Sequence, residues 1–308
     1  MGKIKRIIFY MFGLIAAVVM IYIVLEDKYI DRVEALERQD IKIVENIKEN
    51  TEKIKDQEVV ENKDTDGELI DLEEKLVDNK EAALERLKVY GEKSEDAKYI
   101  YDHADLYPES FLKLGANRPR ALAFVRGYAD KRNTFDKITS KPEESHELNR
   151  KFPLYILWDK RWGYREYEEP YAIIGCGPTT ATMIINGYGG SENPLAIMDE
   201  MREKNYYLKN IGTSWEGIRE LLASRGIGSD DLPTVESKHK RHLDTGNPIL
   251  INIGKSKFTN IGHYMLIVGY NDKGFIINDS NSIEYSLREL PFDELTQIIK
   301  GAWTLYKK

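Results

Sequence analysis

The sequence predicts an α+β fold, helices first and an antiparallel sheet second, behind an N-terminal transmembrane helix and a helical stalk. Three observations carry this. Ile7 to Leu25 is an unbroken uncharged run, IIFYMFGLIAAVVMIYIVL. The stretch from Glu26 to about Lys98 is rich in Glu, Lys and Asp and holds no proline. Residues 151–308 then combine capped helical stretches with the runs PILINIG, HYMLIVGY and GFIIND, whose Ile, Val and Tyr content reads as strands.

The first run has the length of a membrane span. At about 1.5 Å per helical residue, Ile7–Leu25 reaches roughly 28 Å against a hydrocarbon core of about 30 Å. A cleaved signal peptide is the competing reading. The run is long for such a segment, and its small residues Ala16 and Ala17 lie in its middle, so retention as an anchor is favoured. Lys3, Lys5 and Arg6 precede the run and Glu26 and Asp27 follow it, which places the N-terminus in the cytoplasm and the rest outside the cell. The tip and anchor occupy residues 1–25.

Residues 26–98 read as a charged helical stalk or coiled coil. Val33, Leu36, Ile43, Ile47 and Ile54 fit a heptad seam, with Asp40 and Asn50 at the remaining core places. An Asn there can fix register whereas an Asp opposes pairing, so a solvated single helix and a homodimer through the stalk both remain open. After a break at NKDTDG, Leu69, Leu72, Leu76, Ala83 and Leu87 continue a helical pattern. Residues 99–150 form a small helical subdomain, with two short amphipathic helices broken at Pro108 and Pro119.

Residues 151–308 are the expected chemical domain. Asn193 with Pro194 suits a helix N-cap and first position. Thr213 with Glu216 reads as a capping box opening SWEGIRELLAS, with Gly226 as the stop. The turn residues Asn271 to Gly274 join two strands into a hairpin.

Cys176 is the single cysteine of the chain, in IIGCGPTTATMIING. Pro178 in a first helical turn places Cys176 at a helix N-terminus, where free N–H groups and the dipole favour a thiolate. Gly175 and Gly177 leave room either for a substrate backbone or for close packing of the helix start, and this stretch alone does not choose. Of the five histidines, His103 and His146 lie in charged surroundings, and His239 and His242 read as part of a solvated basic helix without a third metal ligand. His263 opens an apolar strand. With a three-residue loop, Asp272 to Gly274, strand parity puts Asp279 on the same sheet face as His263, whereas an even loop separates them.

Together GCGPT, GHYMLIVGY and IINDSNS, in that order, resemble the papain-like cysteine peptidases, specifically the group similar to bacteriocin double-glycine leader peptidases. The likeness runs through LYILWDKRWGY, GTSW and GNPILINI, covers about Phe152 to Lys308, and extends faintly to YPESFLKLGANRPRALAFVRGY. The resemblance implies a papain-like fold of helical half plus antiparallel sheet half, with Cys176 as nucleophile, His263 as base and Asp279 as orienter. It also implies a glutamine amide as an oxyanion donor where this chain has Leu157. The Cys176 N–H, the Trp158 indole and Tyr155 are the substitutes at hand.

The function expected is that of a membrane-anchored extracellular cysteine peptidase or amidase, working without cofactor or metal on a peptide or cell-wall peptide. A binding or scaffold protein that keeps the fold is the alternative, motivated by Leu157 and the stalk. A net charge of -7 argues against nucleic acid as a partner. The GKS at 254–256 lacks the earlier glycine of a phosphate loop.

Overall fold

In the computed structural model, residues 69, 71, 75–132, 148 and 150–308 are described. The expected membrane segment, the stalk as far as residue 68 and His146 lie outside the described residues. Among the described residues no helix is long and apolar enough to cross a membrane.

Helices build the first part of the fold. The first, Lys80–Tyr90, starts where Asn79 Oδ1 accepts from the Ala82 N–H, and Glu95–Asp102 follows with Ser94 as its cap. Glu109–Asn117 begins after Pro108, and a short turn at Pro119–Ala121 leads into Leu122–Arg126 and Tyr128–Lys131. The first of them, within the expected stalk, is not a free spacer. Ala83, Leu87 and Tyr90 of the first are buried in the same apolar cluster as Phe111, Phe124, Trp162 and Met183. Leu76, placed by its spacing in a helix, instead lies in an irregular segment before Asn79, where Asn117 pins Val77 through both its backbone groups.

The central helix, Cys176–Gly187, is buried continuously from Gly177 to Ile185. An apolar helix of that kind needs cover on all sides. Pro194–Glu203, Trp215–Ala223 and the sheet all pack on it. Asn193 caps the former through the Ala196 N–H, as its spacing predicts. For the latter the cap is Ser214, whose hydroxyl accepts from the Gly217 N–H; Thr213 belongs to a small hairpin of β1 (Tyr207–Leu208) and β2 (Gly212–Thr213). Strand pairing of Thr213 with Tyr207 takes precedence over the capping role.

The sheet has β3 (Ile227–Asp231), β4 (Ile249–Ile253), β5 (His263–Tyr270), β6 (Phe275–Asn278), β7 (Glu289–Leu290) and β8 (Ile299–Lys307), in the order β3-β8-β4-β5-β6-β7, antiparallel throughout. Alternation divides its residues cleanly. Leu250, Tyr264, Leu266, Trp303 and Leu305 join the core shared with the helices. Ile249, Ile251, Met265, Ile267 and Ile277 fill a second core beneath helices Glu236–Leu243 and Phe292–Ile298.

The β5–β6 hairpin departs from the sequence reading in one respect that matters. Tyr270 pairs with Phe275, so the loop is the four residues Asn271 to Gly274 rather than three. An even loop alone would send Asp279 to the wrong face. A bulge at Val268 shifts the register, so that Gly269 faces Ile276 but Ile267 faces Ile277 and Leu266 faces Asn278. One residue further, Asp279 stands across from Met265 and shares parity with His263.

Because Leu87 is fully buried, Leu87→Ala is expected to lower the unfolding free energy by about 2–5 kcal/mol. Urea denaturation of the full chain checks this; a solvated stalk helix would show almost no change.

Candidate active site

The three residues singled out in the sequence come together. His263, the first residue of β5, is 4% exposed, and its Nε2 lies 2.7 Å from Oδ1 of the fully buried Asp279. The ring also makes a hydrogen bond with the Cys176 thiol, which leaves Nδ1 to face the sulfur. Cys176 is half-buried at the first position of its helix, so the sulfur is held by the protein yet not sealed within it.

The surrounding chain fixes each member. Asp279 Oδ1 also accepts from the Asn281 N–H at 2.8 Å, and the Asp279 N–H donates to the Ser286 hydroxyl at 2.9 Å. Tyr264 ties three elements together: its carbonyl accepts from Thr180 of the central helix, and its hydroxyl donates to the Thr213 carbonyl of β2. Its N–H and that of Gly177 both reach the Cys176 sulfur.

The glycines flanking the cysteine serve packing within the protein. A Cβ on Gly175 would meet the Tyr171 ring at 2.4 Å, and one on Gly177 would meet Thr213 Oγ1 at 2.1 Å. Tyr171 is fully buried and its hydroxyl bonds both the Gly175 carbonyl and Thr179 Oγ1. So of the two readings left open by the sequence, close packing accounts for the small residues.

The electrostatics favour an ion pair. Burial pushes the Cys176 thiol upward, but the hydrogen bond and charge of His263 and the two backbone N–H groups outweigh it, and the net shift is downward. Burial likewise pulls the His263 imidazolium down, yet the Asp279 charge and hydrogen bond, with the sulfur, raise it to about 10. The arrangement therefore favours a thiolate beside an imidazolium, a nucleophile next to a proton donor.

The oxyanion side differs from what the resemblance implies. Leu157 is buried and its N–H donates to the Ser280 carbonyl at 2.9 Å, so this segment runs beside the Asp279 loop with an apolar side chain. Tyr155 is not a substitute: its hydroxyl accepts from Asn186, ten residues along the helix from Cys176 and so about 15 Å down its axis. The Cys176 N–H, in a first turn with no intrahelical acceptor, remains as a donor, with Trp158 following Leu157.

The other histidines serve elsewhere. His239 is fully buried between Phe275 and Phe292 and its Nδ1 meets the Val235 carbonyl, where the sequence read a solvated helix. His242 Nε2 meets the Pro248 carbonyl, and exposed His103 stacks on Tyr99.

A helical half and an antiparallel sheet half that join a cysteine, a histidine and an aspartate define a papain-like cysteine peptidase fold. Residues 158–308 match the model of the Peptidase_C39 like family. No curated protein matches the chain. Several solved structures are similar, three of which follow. The peptidase domain of Streptococcus ComA, a bi-functional ABC transporter involved in a quorum sensing pathway, shares 18% identity, with 44% of this chain and 93% of that one covered and a TM-score of 0.36. A C39-like peptidase from Bacillus anthracis shares 12% over 44% and 90%, with a TM-score of 0.34. A double glycine motif protease from an AMS/PCAT transporter, solved with its leader peptide, shares 12% over 44% and 86%, with a TM-score of 0.30.

The packing around the sulfur gives a paired expectation. Gly177→Ala forces a Cβ into Thr213 and should cost about 1–3 kcal/mol, as overpacking does. Gly262→Ala, beside His263, meets nothing nearer than the Ile253 carbonyl at 3.9 Å and should leave the melting temperature almost unchanged. Thermal denaturation of the two variants tests the contrast.

Proposed function

We propose that the protein is a cysteine peptidase or amidase acting by acyl transfer, with Cys176 as nucleophile, His263 as acid and base, and Asp279 as orienter. The observation that carries this is the half-buried sulfur at a helix N-terminus, hydrogen-bonded to an imidazole whose Nε2 lies 2.7 Å from a buried carboxylate. The match of residues 158–308 to the Peptidase_C39 like family supports the same class of chemistry.

In the proposed reaction the thiolate attacks an amide carbonyl carbon, and the oxyanion that forms takes a hydrogen bond from the Cys176 N–H. His263 gives its proton to the leaving amine as the C–N bond breaks. Water then attacks the thioester with His263 as base, the acid product leaves and the sulfur is restored. Asp279 holds the ring orientation and stabilises the imidazolium throughout. The substrate is a peptide or a cell-wall peptide, met outside the cell because the N-terminal run Ile7–Leu25 anchors the chain with its tip in the cytoplasm.

Leu157 favours a second reading, in which the fold binds such peptides without turning them over. Loss of one oxyanion donor costs on the order of 100- to 1000-fold in rate. The two readings separate on one comparison. Under the first, wild type cleaves members of a peptide library and Cys176→Ala binds them but does not cleave. Under the second, both bind equally and neither cleaves.

The pH dependence of cleavage follows from the two shifts. The thiolate forms as pH rises through the lowered Cys176 value, so the acid limb lies below the ordinary thiol range. The imidazolium, whose pKa is raised, is present below about pH 10 and lost above it, which sets the alkaline limb. A kcat/KM profile that rises only in the ordinary thiol range, about 8.5, would contradict the ion pair.

A further inference from the structure

Arg118 lies forty residues ahead of the first residue matched by the family model, between helix Glu109–Asn117 and the turn at Pro119–Ala121. Pro119 keeps it out of the helical region, with φ -138° and ψ 83°, and so directs it away from its own helix. It is 7% exposed. A buried guanidinium ordinarily has a carboxylate partner. Among the described residues Arg118 has no such ion pair, and all three of its nitrogens donate to backbone carbonyls instead.

Those carbonyls are informative. Nε donates to Asn281 at 2.6 Å and Nη2 to Phe258 at 2.7 Å, while Nη1 returns to Asn117 at 2.9 Å. Asn281 belongs to the loop that carries Asp279, and its own N–H holds Asp279 Oδ1. Phe258 lies in the loop of residues 254–262 that leads into His263, and its carbonyl also receives the Asn281 side chain at 3.4 Å. One planar fork therefore clamps the two loops that deliver the imidazole and its carboxylate. Asp279 Oδ2 is buried without a hydrogen-bond partner, and the charge of Arg118 acts on this same carboxylate.

We propose that Arg118 is a positioning residue for the proposed reaction: through Asn281 and Phe258 it fixes Asp279 relative to His263, so the upstream helices complete the site. This inference rests on the cysteine peptidase reading. It extends that reading by making the chemistry depend on a residue outside the family domain. Arg120, two residues on, pairs with Glu284 at 2.6 Å at the surface of the same contact and serves as the control.

The test is the pH dependence of Cys176 alkylation by iodoacetamide in the full chain, for wild type, Arg118→Met, Arg118→Lys and Arg120→Met. Arg118→Met is expected to move the inflection upward by about one pH unit, equivalent to about tenfold less thiolate at a given acid pH. Misalignment of the ring should reduce turnover of any cleaved peptide further, on the order of 100-fold. Arg118→Lys keeps the charge without the fork and should fall between. Arg120→Met should superimpose on wild type. A folded Arg118→Met whose profile matches wild type overturns the inference. Should that variant fail to fold by circular dichroism, Arg118→Lys carries the decision, and a profile matching wild type overturns it equally. A wild-type inflection already in the ordinary thiol range would instead defeat the peptidase reading itself, so the two failures are distinct.

Discussion

The hydrogen bond between His263 and Asp279 is the contact on which the rest of the site depends. It aligns the ring, leaves Nδ1 to the sulfur, and raises the imidazolium, which in turn lowers the pKa of the thiol beside it. The contact is made by two residues sixteen apart that sit at the same end of one hairpin. Their meeting is a question of register. The four-residue turn gives the wrong parity and the Val268 bulge corrects it, so a local irregularity in the ladder places the carboxylate on the right face.

Much of this was legible in the sequence because it rests on local chemistry. Pro178 marks the helix start that carries Cys176, Asn193 and Pro194 mark the next, and the apolar runs mark β4, β5 and β6. Parity put His263 and Asp279 on one sheet face, although through a loop length that the hairpin does not have, and their pairing was implied only by the resemblance. What was not legible depends on contacts distant in the chain. Nothing in the spacing of Thr213 foretells that it packs on Gly177 rather than capping its own helix. The burial of His239 among aromatic residues depends on Phe275 and Phe292 arriving from later elements.

The same distinction applies to the helix Lys80–Tyr90. Its charge suggested a stalk, because the buried positions are few: Ala83, Leu87 and Tyr90 in eleven residues. Yet these residues join the core around the central helix. Arg118 carries that union to the site, with partners 140 and 163 residues away. An arginine before a proline between two apolar helices was the one available signal.

The chemistry of the site reduces to the protonation of one ring. A nitrogen-15 NMR titration of His263 in the folded chain measures it directly. An imidazolium that persists through neutral pH and loses its proton only near pH 10 is the predicted result. A ring that titrates near 6.5, as a free histidine does, would mean that the buried aspartate and the sulfur do not hold the charge together.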